Sequence, residues 1–105
     1  MAQHIGILRI ELGENDIKTI EDSGLNFSNL LTVTRTFNGF ESKFPILSGI
    51  DEYGDTYFNF IQKKFLCEEL RNIITQSPSL FSEANPVIAF LEKAQPKEHI
   101  HFVGD

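Results

Sequence analysis

DTYFNFIQKKFLCEELRNIIT, Asp55–Thr75, is the stretch whose reading decides the fold class. It holds neither glycine nor proline, and its apolar residues recur at Phe58, Ile61, Phe65, Leu66, Leu70, Ile73 and Ile74. Gaps of three and four are the signature of a helix with one buried face. Asp55 or Thr56 is suited to cap its start, and the proline in QSPS, Gln76–Ser79, stops it. At about 100° per residue, Asn59 and Gln62 fall on the same stripe as Leu66, Leu70 and Ile73. This reading therefore places two amides on the buried side of the helix, where each needs a hydrogen-bonding partner.

Working outward, ANPVIAFLEKAQ (Ala84–Gln95) gives a second helix, with Asn85 as cap and Pro86 as its first residue. The last segment, KEHIHFVGD, alternates as a strand, with Ile100 and Phe102 on one side and His99, His101 and Val103 on the other. Upstream, HIGILRIEL (His4–Leu12) reads as a strand whose Leu8–Ile10–Leu12 face is assigned to the core. GEND (Gly13–Asp16) is a turn, and Ile17–Glu21 returns as the second strand of a hairpin. Between them lies an ambiguous segment. Asn26 or Ser28 can cap a helical turn, while Leu30–Phe37 has the β-branched composition of a strand. The strand is the preferred reading, and Phe44–Ile50, with Pro45, then reads as a strand start, an edge or an extended loop. The sum is an α+β domain spanning residues 1–105: a small antiparallel or mixed sheet of three to five strands with two helices packed on one face. The first and last strands are expected to be neighbours.

Fifteen acidic residues against nine scattered basic ones leave a net charge of −6, which argues against nucleic acid as a partner. No apolar run is long enough to span a bilayer, and MAQHIGILRIELG lacks the features of an export signal, so a cytoplasmic protein is expected. The single cysteine, Cys67, permits no intrachain disulfide. It falls off the core stripe beside Glu68 and Glu69, whose charges would raise its thiol pKa and make it a poor nucleophile. The chain has no serine elbow, glycine-rich phosphate loop or paired zinc cysteines, so neither a catalytic residue nor a cofactor is assigned. An EF-hand loop starting at Asp51 fits only at its first and fifth positions and is rejected. His99 and His101 point the same way, and His4 approaches them if the outer strands pair. Without a fourth ligand at a known spacing, no metal site is assigned.

The candidate binding residues are Asp51, Tyr53, Asp55, Asn59 and Gln62. Either the amides are satisfied by nearby backbone and fix the loop onto the helix, or all five line a pocket at a helix N-terminus. These positions also carry a likeness. Asp51, Tyr53, Gly54, Asp55, Thr56, Phe58, Asn59 and Gln62, with Gly104 and Asp105 at the tail, resemble the pattern of a family of small bacterial proteins with no established activity. The resemblance implies no mechanism, but it implies that the loop and the tail form one feature. The leading functional expectation is a non-enzymatic, immunity- or antitoxin-like module that binds a basic protein partner. The alternatives are a small-ligand binder or enzyme using the Asp51–Gln62 segment, and a homodimeric structural subunit.

Overall fold

The computed structural model describes residues 3–105. The reading of the N-terminus as lacking an export signal rests partly on residues 1 and 2, which lie outside the described residues. The elements run β1 (Gly6–Leu12), β2 (Ile17–Asp22), α1 (Ser28–Thr34), α2 (Phe40–Lys43), α3 (Pro45–Ser48), β3 (Asp55–Phe58), α4 (Phe60–Gln76), α5 (Phe81–Glu92) and β4 (His99–Val103). The strands form one antiparallel sheet in the order β2-β1-β4-β3. The α+β class, the β1–β2 hairpin and the pairing of first and last strands are as the sequence predicts. Among the described residues, no helix is long and apolar enough to cross a membrane.

Register determines which side of the sheet meets the helices. Ile7 lies opposite Phe102, and Phe58 lies opposite Ile100. These four, with Ile5, join the helix side chains in one buried cluster. Phe102 is its centre, with Phe27 and Phe58 packed edge-on at centroid distances of 5.1 and 5.8 Å. The assignment of Leu8–Ile10–Leu12 to this core is therefore corrected, because those residues point to the opposite face. The helix-facing row of β1 is Ile5, Ile7 and then Arg9. Arg9 ends the apolar row with ion pairs to Glu98 at 2.9 Å and Glu21 at 2.8 Å. Its guanidinium holds both carboxyls below the ordinary carboxylate range. A register shift between Arg9 and Ile10 leaves Ile20 of β2 without an opposite residue.

The preferred strand over Leu30–Phe37 does not form: Leu30–Thr34 belongs to α1 and residues 35–37 are turn and bend. Phe27, Leu30, Leu31 and Thr34 are all buried, a three-and-four stripe, so burial on one helical face outweighs the β-branched composition. The helical alternative holds, but neither Asn26 nor Ser28 is the cap: Phe27 takes that position without a side-chain bond, and the Asn26 side-chain oxygen accepts from Ser28 N and from Ile5 N, each at 3.0 Å, tying the start of α1 to the residue ahead of β1. Phe44–Ile50 is likewise helical rather than extended, with Pro45 in the first position of α3, where its missing N–H costs nothing. The first-turn N–H groups of Ile46 and Leu47 are capped from a distance by Glu69 of α4, at 3.0 and 2.9 Å. Burial raises the Glu69 pKa against the opposing pull of these two bonds.

The remaining helix boundaries also shift. α4 starts at Phe60, because Asp55–Phe58 is spent as the edge strand β3. α5 starts at Phe81, ahead of Pro86, so Pro86 lies within the helix and Asn85 is not its cap. The added turn buries Ala84 completely. Cys67, placed off the core stripe by the wheel, is 4% exposed and belongs to the core. Its thiol pKa is raised, as expected, but chiefly by burial.

Candidate functional site

Helices cover only one side of the sheet. The register puts Leu8, Ile10 and Leu12 of β1 on the other side, with Ile17 and Thr19 of β2, His99 and His101 of β4, and Asp55 and Tyr57 of β3. Ile10 is fully buried there, outside the main core. Leu12, Ile17 and Tyr57 remain 46%, 50% and 40% exposed. Asp22, opposite Leu8, adds a second carboxylate at the margin. Among the described residues, no lysine or arginine occupies a register position on this face.

The five candidate residues separate into three groups. Asp51 and Tyr53 stay in the loop: the Asp51 carboxylate accepts from Tyr53 N at 2.9 Å, and Asp51 N donates to the Thr56 hydroxyl. The Tyr53 side chain extends into solvent, 73% exposed. Asp55, expected to cap a helix, lies on the open face, where Oδ1 meets His101 Nε2 at 2.8 Å. Tyr57 stacks on the same imidazole, with centroids 4.3 Å apart and rings 19° from parallel.

Asn59 and Gln62 sit at the start of α4, not on its buried stripe. Asn59 has extended backbone (φ −77°, ψ 179°) and is the N-cap. Its Oδ1 accepts from Gln62 N at 2.9 Å, and Gln62 Oε1 accepts from Asn59 N at 2.9 Å. This reciprocal capping box satisfies two otherwise free donors at the helix start. Asn59 is exposed and Gln62 half-buried. Asn59 precedes the helix, and Gln62, although in angular line with Leu66, lies in the first turn, ahead of the stretch that the core buries.

Sequence reasoning placed His99 and His101 on one side of a strand but did not bring Asp55 and Tyr57 to them. That requires β3 to be a strand, which the helical reading of the segment concealed. His4 does not join the other histidines. Its ring lies near Gly6, opposite Val103, and its backbone N–H donates to Asp105 Oδ2 at 3.2 Å. No group of three potential ligands is placed to hold a metal ion among the described residues.

The implied union of loop and tail is present in the fold. Gly104 N donates to Gly54 O at 2.7 Å, and Asp105 N donates to Glu52 O at 3.0 Å. A Cβ on Gly104 would lie 2.5 Å from Glu52 O, so the tail packs backbone to backbone against the loop.

The Asp55–His101 contact orients an imidazole, as a carboxylate does in a hydrolytic triad. Tyr57 and Thr19 supply the only hydroxyls at the face's register positions among the described residues, and Cys67 is buried on the other side of the sheet. The class that fold and face define is a two-layer α+β protein with one sheet face uncovered. Compared with known protein families, curated proteins and solved structures, the chain matches none.

Proposed function

We propose that the protein is a non-enzymatic binding module that takes a basic protein partner on the open face of its sheet. The observation that carries this reading is the composition of that face. Exposed Leu12, Ile17 and Tyr57 lie with His99 and His101, the carboxylates of Asp22 and Asp55 flank them, and no lysine or arginine among the described residues takes a register position on this face. An apolar patch edged by polar groups is the usual anatomy of a protein interface. The net charge of −6 favours fast capture of a basic partner. Nucleic acid is a poor fit, because its phosphates would meet carboxylates. Self-association through the same face would oppose like charges on the two copies. An immunity or antitoxin-like protein that neutralises a basic toxin is the setting this chemistry suits.

The test is a photo-crosslinking amino acid placed at Ile17, at Tyr57 and, as a control on a helix, at exposed Phe81, followed by identification of the adduct and reconstitution with the purified partner. The expected result is a basic partner captured from positions 17 and 57, with affinity that falls as salt is raised and is abolished by Tyr57→Arg. Adducts formed only from position 81, or binding indifferent to Tyr57→Arg, overturn the reading.

A further inference from the structure

One end of the open face is hollowed into a pocket of about 460 Å³, lined by Leu12, Ile17, Tyr57, Asn59, Gln62 and His99. Its shape follows from unequal strand lengths. β1 pairs with β4 only as far as Ile10–His99, while the hairpin continues to the Leu12–Ile17 pair. The overhanging hairpin forms one wall. Tyr57 and the cap of α4 form the other, and His99 lies between them.

Two side-chain amides give this pocket donors in fixed positions. The capping box occupies Oδ1 of Asn59 and Oε1 of Gln62, which fixes the two amide planes. Both NH₂ groups are left without a hydrogen-bond partner among the described residues. His99 Nδ1 is buried and also unpartnered among the described residues. The pocket thus combines apolar walls with two amide NH₂ donors, and among the described residues no carboxylate lines it.

We infer that this pocket is the specificity site of the binding face and takes one apolar side chain of the partner, with the main-chain carbonyls flanking it accepted by the Asn59 and Gln62 amides. This deepens the protein-binding reading and rests on it. Apolar walls suit a leucine- or phenylalanine-sized group, and the fixed donors suit peptide carbonyls. The partner's basic residues would then lie outside the pocket, towards Asp22 and Asp55.

The test needs no partner. N-acetyl-leucine methylamide, which is neutral and carries carbonyls on both sides of an apolar side chain, is titrated into the ¹⁵N-labelled protein. Isobutyl alcohol, likewise neutral, with a similar apolar body and no carbonyl, is the control. The expected result is saturable movement of the Asn59 and Gln62 side-chain NH₂ resonances with the first probe and none with the second. The double variant Asn59→Asp/Gln62→Glu keeps both cap acceptors and removes both NH₂ groups. It should retain the melting temperature to within a few degrees and weaken the probe at least tenfold, read from the Leu12, Ile17 and Tyr57 backbone resonances. Equal response to the two probes, no saturable response, or undiminished binding by the double variant refutes the pocket assignment. None of these outcomes bears on the crosslinking test of the face, so the two failures are distinguishable.

Discussion

Replacing Asn59 by alanine tests whether the two amides cap α4 or are buried by it. In the structure the substitution removes one acceptor, Oδ1, from Gln62 N at 2.9 Å and opens no cavity, because Asn59 is exposed. Loss of an N-cap side chain costs about 1 kcal/mol, within a range of roughly 0.5–2. For a chain of this size that lowers the melting temperature by about 4–8 °C. An amide on the buried stripe would instead leave both a void and unsatisfied groups, at a cost of roughly 3 kcal/mol or more. Gln62→Ala breaks the reciprocal bond to Asn59 N and should cost less, about 0.5 kcal/mol, since that N–H can turn to water. The two losses share one box, so the double variant should fall short of their sum. Thermal melts followed by circular dichroism measure all three variants, and hydrogen exchange at Gln62 and Lys63 locates the effect in the first turn. A shift below about 1 °C for Asn59→Ala, or one above about 15 °C, refutes the capping account.

Three further perturbations probe the scaffold. Glu98→Gln should destabilise by about 1–3 kcal/mol at pH 7, because Arg9 loses its two charged acceptors at 2.9 and 3.2 Å. Arg9 lowers the pKa of Glu98 and Glu21 in the folded state, so the unfolded chain binds more protons in that range and stability rises with pH through it. The native advantage should shrink as pH falls below the ordinary glutamate pKa of about 4; an undiminished gap in urea melts at low pH would contradict the pairing. Glu69→Gln offers one acceptor where Ile46 N and Leu47 N need two, and should cost about 1–3 kcal/mol and loosen α3. Unchanged amide exchange at Ile46 and Leu47 would speak against it. Gly104→Ala forces the tail off Glu52 and Gly54 at a cost of about 1–3 kcal/mol. It should speed exchange of the Gly54-bound amide, and a wild-type melting curve would show that the close approach is not required.

Much of the molecule was legible where burial and periodicity agree. The 17-residue α4, and β4 with Ile100 and Phe102 inward, follow local pattern because each buries one face of a single period; the β1–β2 hairpin follows instead from its GEND turn, since β2 is exposed at every residue but half-buried Glu21. The misread segments are those where local preference and burial compete. Thr32, Val33 and Thr36 favour a strand, but the stripe through Phe27, Leu30, Leu31 and Thr34 made a helix, a pattern present in the sequence and outweighed there by composition. Pro86 signals a helix start, yet the turn before it forms because it buries Ala84. Asp55–Phe58 carries too few residues to declare a period, so the helical pattern that follows absorbs it.

The sequence by itself determined the class, the long helix and the acidity of the surface, since these depend on the order and kind of residues along one segment at a time. Tertiary structure decided the site. Only the pairing of β3 with β4 sets Asp55 and Tyr57 against His101. The overhang of the hairpin beyond β4 makes the pocket, and the end of β3 fixes where α4 begins. Strand register is a relation between distant segments, and a shift of one residue would turn every one of these side chains to the other face.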